Sequence, residues 1–195
     1  NRIRVEDAVE YLRYIADSEG VTADEESLSL IAQKADGGMR DALSMFDKAV
    51  SFCGNNLEYK TVAQTLNVLD YDTYFSFTNS LLQGNYIEAL LAFDKVLAKG
   101  FSGQVFMSGL SQHMRDLLVI KSNADALTEF PAGILARYRE QAVQCDVEFL
   151  FGAISQLSTA DGAIRASSNQ RLLVELTLMR IAEIGKKKTL TTTNF

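Results

Sequence analysis

Residues 32–49 read AQKADGGMRDALSMFDKA, and this stretch decides how the rest of the chain is interpreted. After the glycines at 37 and 38, apolar residues recur at helical spacing through Met39 and Phe46. Glycine adopts backbone conformations that other residues avoid, so the pair predicts a tight turn. The spacing that follows predicts a helix that starts at Gly38 and carries Arg40 in its first turn.

Arg40 is the main candidate binding residue in this stretch. The first turn of a helix has backbone N–H groups without intrahelical acceptors and the positive end of the helix dipole, so it attracts anions. Arg40 would add a planar guanidinium that suits a phosphate, and Asp41 could orient it or cap the helix. Alternatively, the glycines only end the preceding helix and Arg40 is a solvated side chain. The spacing alone leaves both interpretations open.

Two short helices are predicted before this one. The first is amphipathic and stops at Gly20. Thr22–Glu25 has the spacing of a capping box, which predicts that Thr22 caps the second helix. The turn-rich residues 53–56 then form the best internal boundary. The sequence therefore predicts a small three-helix domain over residues 1–54.

The rest of the chain predicts a second, longer helical domain over residues 55–185. Its predicted helices lie near Tyr59–Leu66, Asp72–Leu82, Asn85–Ala98, Gln104–Lys121, Pro131–Ala142, Asp146–Ser158 and Gln170–Ile184. Pro131 is the single proline of the chain, which favours an all-α fold because helix interiors exclude proline. The last helix is apolar on most sides and should be central. Residues 186–195 are expected to be a flexible tail or the start of a linker.

Composition narrows the functional classes. The 195 residues are 47% hydrophobic and 23% charged, which is typical of a folded protein. The net charge is −6, so direct DNA binding by this chain is disfavoured. Cys53 and Cys145 are far apart and have no metal-ligand spacing, which predicts no zinc site, no disulfide framework and a reducing cytoplasm. We also expect no export leader and no membrane span.

No catalytic signature is recognisable. Nucleotide-binding and protease motifs are absent, and the single histidine, His113, has no evident acid or nucleophile beside it, so a packing role is favoured. Aromatic residues of the longer domain were considered as contacts with other subunits if exposed, although most should be core. They are Phe75, Phe77, Phe93, Phe101, Phe106, Tyr138, Phe149 and Phe151.

The stretch at residues 32–49 resembles the sensor-2 helix of AAA+ clamp-loader ATPases, in particular the bacterial DNA polymerase III gamma/tau form. Asn1-Arg-Ile3 is similar to the end of that family's ATPase core. Residues 84–90, 99–101 and 169–180 resemble its collar domain. The resemblance implies an all-α chain in which a small three-helix AAA+ lid domain precedes a helical-bundle collar, which is an oligomerisation domain.

The same resemblance implies roles for two residues. Arg40 corresponds to the sensor-2 arginine, which approaches the γ-phosphate, and Met39 corresponds to a residue that would pack near the nucleotide base. The resemblance implies ATP and Mg²⁺ in the intact protein, but no cofactor, metal ligand or catalytic residue in this chain. The ATPase-core motifs of the family are absent from the sequence, so the chain is expected to be an inactive fragment of a DNA-directed DNA polymerase subunit with ATPase activity.

The expected partners follow from the same resemblance. The collar would bind other clamp-loader subunits, namely gamma/tau, delta and delta prime, while the sliding clamp and primer-template DNA would be contacted only by the intact assembly. A cytoplasmic location without membrane contact is expected. Two alternatives stay open: the lid and oligomerisation region of another AAA+ replication or recombination ATPase, or a nucleotide-independent helical adaptor.

Overall fold

The computed structural model describes the backbone of residues 2–192 and the side chains of residues 2–187. Within these limits the chain is almost entirely α-helical, which confirms the predicted all-α class. Its contacts divide it into two compact units, one holding the residues through Asp70 together with Glu129–Leu135, the other holding Tyr71–Thr128 and the residues from Ala136 onward. Packing therefore separates the units at Asp70 rather than after residue 54.

The first unit contains four helices and two very short strands: α1 (Val5–Glu19), β1 (Thr22–Ala23), α2 (Glu25–Lys34), α3 (Met39–Cys53), β2 (Asn56–Leu57) and α4 (Tyr59–Thr65). Its core is formed by fully buried apolar side chains from all four helices, such as Leu12, Ile31, Phe46 and Val62. Because α4 contributes to this core, residues 59–65 belong with the lid-like helices in space.

The two strands were not predicted, and they change the assignment of one helix cap. β1 and β2 pair in parallel, with Thr22 beside Asn56 and Ala23 beside Leu57. The capping-box prediction at Thr22 is therefore wrong. Asp24 is the N-cap of α2, and its carboxylate accepts a hydrogen bond from the backbone N–H of Ser27 at 2.8 Å. Thr22 lies two residues before this N-cap, in β1, where its backbone N–H donates to the Asn55 carbonyl.

After α4 the chain forms helices joined by short turns: α5 (Tyr71–Leu82), α6 (Tyr86–Ala98), α7 (Gly103–Lys121), a 3-10 turn (Asp125–Leu127), α8 (Ala132–Gln144), α9 (Val147–Ala163), a second 3-10 turn (Ile164–Ala166) and α10 (Gln170–Thr192). These elements belong to the second unit, except for the first four residues of α8, which group with the first. The prediction ended α9 at Ser158, but the helix continues to Ala163. Leu157, Ala160 and Ile164 extend one apolar stripe past that point, and all three are buried.

Helix α10 packs against α5, α6, α7 and α9, as predicted for a central helix. It also continues to Thr192, whereas the sequence predicted an end near Ile184 and a tail from residue 186. Gly185 does not end the helix. A Cβ atom at this position would collide with the backbone carbonyl oxygen of Leu81 in α5, so glycine permits close packing there. The last part of the predicted tail, residues 193–195, lies outside the described residues.

Candidate functional site

The start of α3 is formed by two glycines, as the sequence predicted. Gly37 has a φ of +86°, and Gly38 is the N-cap with extended backbone. Gly38 has no side chain that could cap the helix, although its carbonyl oxygen accepts the first helical hydrogen bond, from the N–H of Ala42 at 3.0 Å. The first-turn N–H groups therefore keep the anion-binding capacity expected of a helix start.

Arg40 lies in this first turn with its side chain exposed to solvent. Among the described side chains, no hydrogen bond or ion pair to Arg40 is formed, so its guanidinium is available to a ligand. Asp41 does not pair with it. The Asp41 carboxylate instead lies close to Gly38 at the helix start: if Gly38 had a Cβ atom, that atom would be 3.2 Å from the Asp41 Oδ2.

Met39 precedes Arg40 and lies partly buried against the core of the first unit. Part of its side chain is therefore held in place by packing, and the remainder faces solvent at the start of α3. The two candidate residues thus lie in the same helical turn but differ in environment: Met39 is held by the core and Arg40 is free to extend.

The turn before α3 is held by the segment that leads into α1. The backbone N–H of Ile3 donates to the carbonyl oxygen of Gly37 at 3.1 Å, and the Arg2 guanidinium forms an ion pair with the Asp36 carboxylate. Asp36 has a φ of +50°, which is uncommon for a residue other than glycine. This arrangement is not predictable from the sequence, because nothing in the local pattern connects residues 2 and 3 with residues 36 and 37.

Most of the predicted aromatic contacts are core residues. Six of the eight are at most 6% exposed, namely Phe75, Phe77, Phe93, Phe106, Tyr138 and Phe149. Phe101 is partly exposed, and Phe151 on α9 is 58% exposed. Of the predicted set, Phe151 is therefore the aromatic residue best placed to contact another protein.

A row of apolar side chains on α10 is exposed instead. Leu172, Leu176 and Met179 are 48%, 39% and 39% exposed, and their i, i+4, i+7 spacing places them on one helix face. Because this helix is apolar on most sides, the sequence indicated only a central position and did not separate the exposed apolar residues from the buried ones. We name Leu172, Leu176 and Met179 the α10 apolar row.

His113 on α7 is a buried structural residue, 2% exposed. Its Nε2 lies 2.8 Å from the side-chain carbonyl oxygen of Gln141, so Nε2 carries the proton, and its Nδ1 accepts from the Tyr138 hydroxyl at 2.9 Å. The pKa of His113 is lowered to about 4, chiefly by burial; the hydrogen bond with Gln141 opposes this shift and the positive charge of Arg137 adds to it. The imidazole is therefore neutral near pH 7 and has no substrate access.

Two family models match the chain side by side. The model described as the ATPase lid domain of the DNA polymerase III clamp loader subunit matches residues 7–55. The model described as domain III of DNA polymerase III subunits gamma and tau matches residues 57–192, which is well over half of the chain. The chain belongs to the DNA polymerase III gamma and tau family. The family resemblance seen in the sequence is thereby confirmed.

Curated gamma and tau relatives match almost the whole chain at low identity. DNA polymerase III subunit tau of Bacillus subtilis is 27% identical over 188 residues, covering 93% of this chain and 32% of the relative. Subunit tau of Escherichia coli is 24% identical over 179 residues, covering 90% of this chain and 27% of the relative. The chain thus spans about a third or less of the length of these gamma and tau relatives.

A solved structure shares the fold of this gamma/tau chain. The DNA clamp loader delta protein of Bacillus subtilis superposes with a TM-score of 0.52 at 18% identity, covering 93% of this chain and 57% of the other. At this identity the likeness shows a common fold. The lid model covers α1 to α3, so Arg40 and its turn lie within the lid region of the gamma and tau family.

Other site types were also considered for this gamma/tau chain. The described side chains include no group of three or more histidine, cysteine or acidic residues placed to hold a metal ion. Cys53 and Cys145 are both free thiols, and burial raises the pKa of Cys145 to about 12. Among the described helices, none has the length and apolar character needed to cross a membrane.

Proposed function

We propose that this chain is the nucleotide-sensing lid and the assembly collar of a longer, ATP-driven subunit that loads a sliding clamp onto DNA. The observation that carries the proposal is Arg40, an exposed arginine without an acidic partner among the described side chains, in the uncapped first turn of α3. The proposed lid comprises residues 1–54 and the proposed collar residues 55–185; the meeting of the two family models between residues 55 and 57 supports this boundary, whereas α4, the first helix of the proposed collar, packs in the core of the first unit.

Arg40 would act as a sensor of the terminal phosphate of ATP. A guanidinium binds a phosphate through two parallel charge-assisted hydrogen bonds, and these are lost when hydrolysis removes the γ-phosphate. A lid that carries such a group therefore prefers one orientation with ATP and another with ADP. The α3 dipole and first-turn N–H groups would add to the same preference.

ATP fits the chemistry at the start of α3, because the turn presents a cation and backbone donors. Arg40 would bind the phosphate, and Met39 is our weaker candidate for contact with the base. Mg²⁺ supplies charge neutralisation to the phosphates in such reactions. We assign no magnesium ligand to the described side chains, which contain no suitable cluster.

The collar would hold loader subunits together while their ATPase domains move. We propose other gamma/tau copies, delta and delta prime as its partners, and the α10 apolar row as part of the contact surface. The sliding clamp and primer-template DNA would be contacted by the intact assembly. The net charge of −6 supports this assignment, because proteins that bind DNA alone usually present a basic face.

The test is the discrimination between ATP and ADP by the full-length subunit assembled with its partners. Arg40→Ala should reduce the ratio of ADP to ATP dissociation constants at least about tenfold, the effect of losing roughly 1.4 kcal/mol of differential binding. Clamp loading that depends on ATP should fall in parallel, with the oligomer intact. Lys48→Ala is the matched control, because Lys48 is also exposed on α3 but lies two turns further along the helix.

An unchanged ratio in Arg40→Ala would show that Arg40 does not sense nucleotide. We expect the present chain alone to hydrolyse no ATP, and measurable turnover by it would contradict the proposal. A full-length protein without an upstream ATPase core would favour the helical-adaptor alternative. A core joined to a different loader or recombination assembly would favour the other AAA+ alternative.

A further inference from the structure

The turn between α2 and α3 has an unusual backbone. Asp36 and Gly37 have φ values of +50° and +86°, so two successive residues occupy the left-handed region. Aspartate tolerates this region better than most residues, and glycine does so freely. The direction of α3, and hence the position of Arg40, depends on this turn because only Gly38 separates it from the helix.

On one side the turn is held by the end of α2. The N–H of Asp36 donates to the Gln33 carbonyl at 3.2 Å, and the N–H of Gly38 donates to the Ala35 carbonyl at 3.1 Å. These are ordinary contacts within a helix end. They fix the first half of the turn but make no contact with the Gly37 carbonyl or the Asp36 carboxylate.

On the other side the turn is held by two residues that precede α1. Ile3 donates its backbone N–H to the Gly37 carbonyl at 3.1 Å, and Arg2 pairs with the Asp36 carboxylate. The aliphatic part of Arg2 lies over Gly37, where any Cβ atom would collide with its Cγ. Gly37 is therefore favoured by its φ, and any larger residue there would also displace the Arg2 side chain from its present position.

The segment that carries Arg2 is itself anchored. Helix α1 begins at Val5, two residues after Ile3, and Ala8 and Leu12 bury it in the core of the first unit. A cavity of about 280 Å³ adjoins the turn and is lined in part by Arg2, Asp36 and Gly37. The Arg2–Asp36 pair thus forms part of the wall of this cavity beside the turn.

We propose that Arg2 and Asp36 are positioning residues for Arg40: their ion pair couples the segment entering α1 to the turn that orients the start of α3. The coupling would let a displacement of the entering segment change the reach of Arg40 toward a phosphate. This proposal rests on the proposed function of Arg40. Both side chains are 74% exposed, so the pair contributes modestly, and its loss should change a binding ratio about two- to fivefold.

The test uses the full-length subunit in its assembly and measures the ratio of ADP to ATP dissociation constants. Arg2→Met retains the aliphatic cover of Gly37 and removes the charge, while Asp36→Asn retains a side chain that tolerates positive φ. Each should lower the ratio about two- to fivefold, and the double variant should lower it no further than either single change. Arg2→Lys keeps the positive charge, so its ratio of ADP to ATP dissociation constants should stay close to that of the unchanged protein.

Arg4→Met is the matched control. Arg4 lies in the same segment, lines the same cavity and pairs with Glu6, also exposed, but it forms no hydrogen bond or ion pair with the Asp36–Gly38 turn among the described residues. Its replacement should leave the ratio unchanged. If Arg4→Met and Arg2→Met lowered the ratio equally, only the charge of the segment would matter, and the positioning role of Arg2 would be overturned.

Arg40→Ala, measured in parallel, separates the two proposals. If it lowers the ratio while Arg2→Met and Asp36→Asn do not, the positioning role is wrong and the sensor role stands. If Arg40→Ala leaves the ratio unchanged, the sensor role of Arg40 is wrong, and the positioning role of Arg2 and Asp36 is overturned with it. Hydrogen exchange of the Ile3 backbone amide, measured in the present chain, gives a structural readout. Asp36→Asn should accelerate exchange at Ile3 without affecting exchange at Leu12. Unchanged exchange at Ile3 would contradict the coupling.

Discussion

The carboxylate of Asp24 accepts a hydrogen bond from the backbone N–H of Tyr59 at 3.0 Å. The same carboxylate caps α2 through its hydrogen bond with Ser27, so one side chain serves the starts of two helices that are far apart in sequence. The backbone N–H of Asp24 also donates to the Leu57 carbonyl at 3.2 Å, beside the β1–β2 pair. Asp24 therefore ties α4 to α2.

Replacement of Asp24 should destabilise the first unit more than loss of a single cap. Asp24→Ala removes an acceptor from two helix starts, each worth about 1 kcal/mol, so the free energy of unfolding should fall by roughly 2 kcal/mol. Urea unfolding of the chain gives this value. Ser102→Ala is the single-cap control, because among the described residues the Ser102 hydroxyl makes one hydrogen bond only, which it accepts from the N–H of Val105 at the start of α7. Equal losses in the two variants would show that the contact with Tyr59 contributes nothing.

Two glycines in the second unit should respond oppositely to alanine. Gly185→Ala would place Cβ against backbone carbonyls of α5, 2.8 Å from that of Leu82 and closer to that of Leu81, so we expect a loss of about 1–3 kcal/mol. Gly162 near the end of α9 has open space around a Cβ, and Gly162→Ala should be neutral or stabilise by up to about 1 kcal/mol. Thermal unfolding measures both, and a neutral Gly185→Ala would refute the close-packing account.

Stability of the second unit should fall on mild acidification because of His113. The unfolded imidazole has its ordinary pKa near 6.5 and the folded one a pKa of about 4, so between these values the unfolded chain binds more protons. The contribution of His113 to the free energy of unfolding is therefore fully present above about pH 6.5. It is lost as the pH falls toward 4, and the total loss is roughly 3 kcal/mol. Urea unfolding at pH 7 and pH 5 measures the slope.

His113→Gln separates this contribution from that of the carboxylates. Glutamine does not titrate, so the variant should be less stable at pH 7 because Tyr138 and Gln141 lose their partner, yet it should show a shallower decline from pH 7 to pH 5. The same slope in both proteins would show that His113 does not titrate in this range.

The α10 apolar row should contribute to assembly rather than to folding. Leu176→Glu places a charge among exposed apolar side chains, and we expect at least about tenfold weaker association with the other loader subunits at unchanged unfolding free energy. Sedimentation of the mixed subunits measures the association. Phe52→Glu is the control, since Phe52 is 74% exposed on α3 in the first unit. Equal weakening by both changes would indicate a nonspecific effect of charge.

Much of the fold is visible in the sequence because helical periodicity is a local signal. The helix start at Gly38, the placement of Arg40 in its first turn and the all-α class all follow from residues within a few positions of one another. The end of α10 was misjudged for a related reason. The predicted end near Ile184 lies just before Gly185, whereas the role of Gly185 depends on the carbonyl oxygen of Leu81, about a hundred positions earlier in the chain.

Features that join distant residues were not predictable. The double use of Asp24 requires Tyr59, and the support of the turn before α3 requires Arg2 and Ile3, so neither produces a pattern along the chain. The exposed apolar residues of α10 were missed for a different reason: a helix that is apolar on most sides gives little periodic contrast between its exposed and buried faces. Family resemblance named Arg40, but it gave no indication of what holds Arg40 in place.

The buried imidazole of His113 is also the only one in the chain. It lies on α7 and is bonded to two residues of α8, while Gln141 continues the network to the Phe75 carbonyl on α5 at 2.9 Å. Its ring protons should therefore give a single pair of magnetic resonance lines whose shifts depend on the relative placement of three helices. The His113 ring signals thus report, without any label on this chain, whether α5, α7 and α8 keep their packing. They can be followed in mixtures with partner proteins whose histidines are deuterated.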